Sequence, residues 1–322
     1  MTTLRLNGIL GFALIVAMAA SMAAGKVWVS PAAWLGDDIS ALIIMELRLP
    51  RTILGAAIGA GLGMAGAVMQ GYLRNPLADP GIFGVSSSAA LGAVTSLYFG
   101  YAAITWLLPA FALIGAGIGM GLLALLAGRS GSLILFTLAG VILSSLTGSL
   151  TSLMISLAPT PFATAEIVTW LMGALTDRSW DDVKLALPII AIGMVFLVTT
   201  GRSLDALTLG GEAARSMGVN ISRLQWFAIL GVGLTVGASV AAAGIIGFVG
   251  LIVPHLVRPF AGHRPSTTLL PSALAGALLV VAADSLVRIL PSVSELRLGI
   301  AMSLLGAPFF MALLYKMHRE LS

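Results

Sequence analysis

The residues that could carry chemistry in this chain are few and widely separated. The 322-residue sequence has no cysteine and three histidines, His255, His263 and His318, none with a second metal ligand at helical spacing. The serine run 86–88 has no histidine within sequence-readable reach to act as its base. No G-x-x-x-x-G-K-S/T loop occurs to hold the phosphates of ATP. The sequence therefore predicts no metal site, no nucleophilic enzyme and no ATPase within this chain.

Asp284 is the one acid well inside an apolar segment, and Arg288 follows it by four residues. That spacing places both side chains on the same face of a helix. An intramembrane ion pair of this kind is either part of a proton relay or a structural pair. A proton-coupled carrier needs more buried charge than this, so we interpret the two residues as a structural pair near a helix end.

A polar island at 204–223 lies between two long apolar runs, 185–198 and 224–240. Residues 211–217 of this island predict a two-turn helix, with an acid in its first turn, a base three residues later and a glycine as its left-handed C-terminal cap. So short a helix is unstable alone, because isolated helices need about 12 to 15 residues. We expect another protein to pack against it, through Ala213, Ala214 and Met217 with Glu212 and Arg215 engaging polar groups. The residues assigned to this element are Gly211, Glu212, Ala213, Ala214, Arg215, Met217 and Gly218.

The composition indicates a polytopic membrane protein that consists of one all-α domain, 1–322. The chain is 58% hydrophobic and only 9% charged, whereas soluble domains carry roughly 25% charged residues. Its formal net charge of +4 suits anionic lipid headgroups better than nucleic acid. About 20 apolar residues are needed for each membrane-spanning helix. The apolar runs give ten spans, at 7–24, 51–72, 81–99, 107–127, 132–157, 183–199, 224–243, 244–260, 268–290 and 298–317.

Several connections between these spans carry further predictions. The first run also resembles a signal peptide, and we favour a retained helix because its basic region is weak. The second span has Gly55, Gly59 and Gly63 along one face, which lets another helix approach closely. The connection 159–182 contains a short apolar piece, 167–175, that we expect to be an interfacial or re-entrant helix.

The charges predict an orientation for the chain. With both termini in the cytoplasm, ten of the 17 lysines and arginines lie on the cytoplasmic side and seven lie outside. This is a modest positive-inside bias. It places the island, within the loop 201–223, in the cytoplasm. Three classes of protein remain open: part of an ATP-driven transporter, a secondary carrier, or a pore. The capped cytoplasmic helix favours the first, because a carrier has no need of a partner-seeking element there.

Five segments in order resemble one protein family, the permease subunits of bacterial importers for iron-siderophores, haem and cobalamin. They are RLPR at 48–51, AGAVMQGYLRNPLADPGIFGV at 65–85, LGGEAARSMGV at 209–219, GFVGLIVPHLVR at 247–258 and ELRLGIAMSLLGAPFF at 295–310. The resemblance implies the type II importer permease fold in the bacterial inner membrane. It also implies a dimer with a second copy or a paralogue, two ATP-binding subunits below it and a periplasmic substrate-binding protein above it.

The resemblance assigns roles to particular residues. The coupling helix of the family falls on the 211–217 helix, and its docking arginines for the binding protein fall on Arg48, Arg51 and Arg288. The segments 132–157 and 298–317 correspond to its helices near the dimer seam and pathway. No cofactor is expected on this chain, since ATP and Mg²⁺ belong to the partner ATPase. We interpret the remaining motif residues as structural: Gln70, Asn75, Pro76, Asp79, Pro80, Pro254, His255, Arg258, Gly306 and Pro308.

Two departures from the family pattern matter. Arg297 stands where the family usually has a proline before its last helix, which puts the start of that helix in doubt. Paired hydroxyl residues found in some relatives align here with Leu133 and Ile134, so no gate residue is carried over. The substrate we expect is an iron chelate, either a ferric siderophore or haem. Cobalamin is the alternative, and a secondary carrier independent of ATP is the remote one.

Overall fold

The computed structural model describes residues 2–30, 34, 39–127, 132–291 and 295–321, and within them every regular element is a helix. The prediction of an all-α fold is confirmed. The described helices are α1 (Thr3–Ala23), α2 (Ile39–Leu42), α3 (Leu49–Leu73), α4 (Val85–Tyr98), α5 (Leu107–Ala127), α6 (Leu133–Ser156), α7 (Pro161–Leu171), α8 (Trp180–Thr199), α9 (Gly201–Leu207), α10 (Gly211–Ser216), α11 (Ile221–Ala243), α12 (Val249–Val257), α13 (Pro265–Ile289) and α14 (Leu298–Leu321). A π-helical turn, Ile43–Arg48, joins α2 to α3 without a break.

Eight stretches of the described chain are long and apolar enough to cross a membrane. They are α1, the continuous unit from α2 to α3, α5, α6, α8, α11, α13 and α14. The third and eighth predicted spans are shorter helices, α4 with 14 residues and α12 with nine. At about 1.5 Å per residue these extend only roughly 21 and 14 Å, less than the apolar thickness of about 30 Å. With these two short helices the fold has the ten expected helical segments.

Helix α3 forms the centre of the described structure, and its glycines explain why. A Cβ atom on Gly59 would overlap the backbone of Gly276 in α13, and one on Gly66 would overlap the backbone of Gly250 in α12. The bare backbone therefore lets two helices approach α3 at close range. The predicted close-packing face of the second span is confirmed, with α13 as its partner.

Helix α7 differs from the predicted helix at 167–175. It begins six residues earlier, where the Thr160 hydroxyl accepts a hydrogen bond from the Ala163 amide at 3.1 Å and Pro161 occupies the first turn. It ends at Leu171, and Gly173 then adopts a left-handed backbone with φ of 67°. The cap and proline set the start of the helix, and the hydrophobicity that guided the prediction marked only its second half.

The helices define two ends of the bundle. At one end, which we call the arginine end, the Ser21 hydroxyl in α1 lies 2.9 Å from the Thr52 hydroxyl in α3. At the other, the island end, the Asp205 carboxylate accepts a 2.9 Å hydrogen bond from the Ser266 amide at the start of α13. Because α1 finishes where α3 begins, the first residues of α1 lie at the island end. Helix α14 starts at the arginine end, where the Gly299 amide donates to the Gly173 carbonyl at 3.1 Å, and runs toward the island end.

Candidate functional site

The island folds into two short helices, α9 and α10, with α10 capped as the sequence predicts. Gly210 precedes α10 with φ of 106°, and Gly218 follows it with φ of 84°. The Gly218 amide donates to the Arg215 carbonyl at 2.9 Å, and the Val219 amide donates to the Ala214 carbonyl at 3.0 Å. These two hydrogen bonds form a Schellman motif, which satisfies the last carbonyls of the helix. The helix is one residue shorter than predicted, with Met217 as its C-cap.

The side chains of α10 divide between the chain's own core and the surface. Ala214 is fully buried and belongs to the same apolar cluster as Leu204 and Leu207 of α9. The expectation that Ala214 packs against a partner is therefore wrong, because it anchors α10 to this chain. Met217 remains 64% exposed and Leu209, just before the helix, 67% exposed. We call these two side chains the exposed apolar pair.

The charged residues of α10 lie beside this pair. Glu212 and Arg215 are both exposed, and Ala213 is half-buried. The acid is in the first turn and the base in the last, so each complements the helix dipole at its own end. Two apolar groups flanked by a carboxylate and a guanidinium on a rigid, capped helix form a surface suited to a protein partner.

The three predicted docking arginines lie together at the arginine end, but their side chains are buried. Arg48, Arg51 and Arg288 are only 8%, 8% and 7% exposed. Arg51 makes two hydrogen bonds from Nε and one from Nη2 to the Asp284 carboxylate, at 3.1, 2.9 and 2.7 Å. It also donates to Glu295, at 3.2 Å from Nη1 to Oε2 and through Nη2 to Oε1.

The other two arginines of this cluster are also held within the chain. Arg48 Nη1 donates to the Met22 and Ala23 carbonyls, both at 2.8 Å. Arg288 Nε lies 3.2 Å from Asp284 Oδ2, and its Nη2 donates to the Ser21 hydroxyl. The interpretation of Asp284 and Arg288 as a structural pair agrees with this geometry.

The arginine cluster thus connects α1, α3, α13 and the segment before α14. The guanidiniums are turned inward to the chain's own acids and carbonyls and do not form an exposed surface. The three arginines do lie together at one end of the bundle, as their positions in the sequence predict. A docking contact made by their side chains stays a prediction.

Several motif residues connect α3 to α12 at the island end. Gln70 Nε2 donates to the Gly250 and Leu251 carbonyls at 3.2 and 3.1 Å, and Gln70 Oε1 accepts from Arg258 Nη2 at 2.8 Å. The proline at 254 lies within α12, where carbonyls freed from helical hydrogen bonding need other donors. Pro254 has no amide hydrogen to donate to the Gly250 carbonyl four residues earlier. The Gln70 amide supplies a donor to that carbonyl and also binds the Leu251 carbonyl.

The turn after α3 is held by its own side chains. The Asn75 Oδ1 atom accepts from the Leu77 amide at 2.9 Å, and the Asp79 Oδ1 atom accepts from the Gly81 amide at 2.7 Å. Burial raises the pKa of Asp79, and the hydrogen bond from Gly81 opposes that shift. With Pro76 and Pro80 this is the structural turn that Asx and proline chemistry predict.

The remaining motif residues pack α12 against α14. The His255 ring lies 6.1 Å from the Phe309 ring in an edge-on arrangement. A Cβ atom on Gly306 would overlap the Phe248 ring, so the glycine makes room for that side chain. Pro254 and Pro308 lie inside α12 and α14. Among the described residues no group of three or more acids and histidines could hold a metal ion.

A cavity of about 410 Å³ opens at the arginine end between α7 and the start of α14. Its charged lining residues are Glu166, Arg178 and Arg297. Arg178 lies 3.5 Å from Asp182, whereas the Arg297 side chain forms no hydrogen bond or ion pair within the described residues. The Arg297 carbonyl accepts from the Ile300 and Ala301 amides at 3.1 and 3.2 Å, so α14 begins here without a proline.

Sequence reasoning singled out Arg297 only as a departure from a pattern. It gave no sign that this side chain shares a cavity with Glu166, which lies 131 positions earlier in α7. The one available signal was the arginine that stands in place of the family's proline, because a guanidinium at that position needs either an ion-pair partner or water.

Comparison with known proteins gives one consistent result. The FecCD transport family matches residues 13–316. The ABC transporter permease YvrB of Bacillus subtilis is 39% identical, over 88% of this chain and 81% of its own. The Fe(3+) dicitrate permease FecD of Escherichia coli is 38% identical, over 88% and 89%. The cobalamin permease BtuC of Halobacterium salinarum is 39% identical, over 86% and 74%.

A solved structure agrees over nearly the full length. It is described as an inward-facing conformation of a metal-chelate type ABC transporter, and it superimposes with a TM-score of 0.89 at 31% identity. The match covers 97% of this chain and 99% of that chain. The chain therefore belongs to the FecCD transport family and is a multi-pass ABC transporter permease.

Proposed function

We propose that this permease imports an iron chelate across the bacterial inner membrane, with both termini and the island in the cytoplasm. It pairs with a second copy or a paralogue, and the two enclose one pathway along α6 and α14. A periplasmic binding protein delivers the chelate at the arginine end. Two ATP-binding subunits engage the island end, where they hold ATP and Mg²⁺ and supply the energy.

The exposed apolar pair supports the part of this proposal in which the ATP-binding subunits act on α10. Two large apolar side chains, Leu209 just before α10 and Met217 at its C-cap, stay more than 60% exposed at the two ends of this capped helix. Ala214 fixes this helix to α9, and α9 in turn is tied to α13 through Asp205 and Ser266. A partner that pushes on α10 therefore moves a spanning helix that packs directly against α3. This linkage supports a role for α10 as the element that transmits the conformational change of the ATP-binding subunits to the membrane-spanning helices.

The test uses Met217→Gln and Leu209→Gln in the complete transporter reconstituted in liposomes. Both side chains are exposed, so folding should be unaffected, while the partner loses its apolar contact. We expect substrate-stimulated ATP hydrolysis and uptake to fall at least tenfold at unchanged membrane content. Leu4→Gln is the matched control, because Leu4 is 83% exposed at the same end on α1. Normal ATPase coupling in both island variants would refute this role for α10.

The charge of the arginine-end cavity favours an anionic chelate as substrate. Arg297 has no partner within the described residues, and Arg178 shares its charge with Asp182 only at 3.5 Å. The lining carries two guanidiniums against the one carboxylate of Glu166, so its charge is net positive, and arginine pairs with carboxylate ligands in bidentate geometry. The ferric complex of citrate has such groups. Arg297→Gln should therefore raise the KM for ferric citrate uptake with little change in kcat, and Arg297→Lys should restore part of the affinity.

Cobalamin is the second candidate, because relatives named as cobalamin or vitamin B12 permeases are 35–39% identical to this chain. Uptake assays with ferric citrate, haem and cyanocobalamin, each with the transporter's own binding protein present, separate the candidates. Exclusive uptake of cyanocobalamin, unaffected by Arg297→Gln, would overturn the iron proposal and leave the importer assignment intact.

A further inference from the structure

A second cavity, of about 220 Å³, lies at the island end. Through Thr208, His263 and Pro265 it adjoins a cavity that Leu209 and Met217 line. The second cavity forms where α3 ends, where α13 begins and where the loop after α12 turns. Its polar and charged lining residues are Gln70, Arg74, Thr208, Arg258, His263 and Thr268.

This lining is cationic, with no carboxylate among its residues. Neither Arg74 nor Arg258 takes part in an ion pair within the described residues. Arg258 is half-buried, and its one side-chain hydrogen bond is to the amide oxygen of Gln70 at 2.8 Å. A partly buried guanidinium that lacks a counter-ion is costly unless an anion approaches it.

Two acids at this end, Asp205 and Asp79, are each engaged by other groups, although Asp205 lines the adjoining cavity. Asp205 binds both the amide and the hydroxyl of Ser266. Asp79 caps the short helix after it through the Gly81 amide. Neither carboxylate lines the cavity.

The cavity is also held in shape. Gln70, which orients Arg258, is itself fixed by two backbone carbonyls of α12. Arg74 and His263 both adopt left-handed backbone conformations, with φ of 50° and 60°, and they are two of the four non-glycine residues that do so in the described chain. Such conformations are unfavourable for residues other than glycine and are retained where the surroundings enforce them.

We propose that this cavity binds a phosphate group. The two guanidiniums match the oxygens of a tetrahedral oxyanion, and the His263 imidazole offers a further donor. The group comes either from inorganic phosphate or from the headgroup of an anionic phospholipid, since the cavity lies at the end of the membrane-spanning helices. This proposal does not depend on the identity of the imported substrate.

The first arm of the test measures inorganic phosphate. The transporter is purified in a maltoside detergent, which contains no phosphate, and sodium phosphate is titrated calorimetrically against sodium chloride at matched ionic strength. We expect saturable binding of one phosphate per permease chain. Arg258→Gln and Arg74→Gln should each weaken it at least tenfold, equivalent to about 1.4 kcal/mol. Arg74 is exposed, so its variant keeps the test valid if Arg258→Gln fails to fold.

Arg5→Gln is the matched control, because Arg5 is an exposed cation at the same end of the bundle and does not line the cavity. Its phosphate affinity should equal that of the wild type. Equal weakening by Arg5→Gln and Arg74→Gln would show a general charge effect and overturn the site.

The second arm distinguishes the source of the phosphate. Native mass spectrometry after reconstitution with phosphatidylglycerol should show one retained lipid in the wild type and none in Arg74→Gln if the headgroup is the ligand. Prebound phosphatidylglycerol should then also block inorganic phosphate. Phosphate binding that phosphatidylglycerol leaves unchanged identifies the free ion.

Two results would reject the proposal. One is the absence of both saturable phosphate binding and a retained lipid. The other is acetate binding as tightly as phosphate, which would assign the cavity to a carboxylate of a partner protein instead.

Discussion

Replacing Asp284 by asparagine should destabilise the permease strongly, although the two side chains have nearly the same size and shape. Asp284 is 3% exposed in its side chain and accepts three hydrogen bonds from Arg51 while lying 3.2 Å from Arg288. An asparagine at this position keeps one acceptor oxygen and loses the negative charge. Arg51 then keeps Glu295 as its acidic partner, whereas Arg288 loses the one ion pair that it forms within the described residues.

The expected magnitude follows from the burial of the network. Removing one member of a buried, hydrogen-bonded ion pair costs about 3–5 kcal/mol, because the partner charge is left without compensation. At about 2 °C per kcal/mol, the value for larger domains, this corresponds to a fall of roughly 6–10 °C in the midpoint of thermal unfolding. Asp181→Asn is the matched control. Asp181 pairs with Lys184 at 3.2 Å, but the side chains are 86% and 73% exposed, so the loss should be at most about 1 kcal/mol.

The assay is thermal unfolding of the purified permease in one detergent, followed by tryptophan fluorescence, for the wild type and both variants. Equal midpoints for Asp284→Asn and Asp181→Asn would refute the stabilising role of the network. The companion variant Arg51→Gln separates structure from docking. We expect it to lower the unfolding midpoint in the absence of any binding protein. A normal midpoint with slower association of the binding protein would instead return Arg51 to the docking role.

Three further predictions concern packing, the polar link and orientation. Gly66→Ala should prevent accumulation of folded protein, because a Cβ there overlaps the backbone of α12. Gly117→Ala should be neutral, since no atom lies within 4 Å of a Cβ built at that position. Fluorescence-detected size-exclusion chromatography compares the amount of folded protein in the two variants. Gln70→Leu should lower the free energy of unfolding by about 1–3 kcal/mol per buried polar group left without a partner, measured by denaturant titration. The cysteine-free chain allows Ser222→Cys and Asp181→Cys to be probed in intact cells with an impermeant thiol reagent. The second should react and the first should not, and labelling at position 222 would invert the proposed orientation.

Local sequence rules predicted the elements that depend on neighbours along the chain. The α10 helix and its glycine cap follow from residues 210–219 alone, and the turn after α3 follows from Asn75, Asp79 and the two prolines. Helix α3 could be identified as a close-packing helix, because its small residues recur every four positions. The same rules failed for α7, where a threonine cap and a proline decide the start and the apolar run does not.

The contacts between distant segments could not be predicted in the same way. Arg51 and Asp284 are separated by 233 positions, and no local pattern shows that they meet inside the protein. The sequence alone is compatible with Ala214 either at a protein interface or as an anchor within the chain. The packing of α10 against α9 distinguishes the two roles. The cavity beside Arg297 depends on where α7 packs against the start of α14.

The most direct test of the account is ATP-dependent uptake in liposomes that contain the permease, its ATP-binding subunit and its binding protein. With radioactive ferric citrate outside, uptake should require ATP on the side where α10 lies, should continue in the presence of a protonophore, and should vanish when the ATP-binding subunit is omitted. Uptake by the permease without its ATP-binding subunit, driven by a pH gradient and abolished by the protonophore, would contradict the account and identify the protein as a secondary carrier.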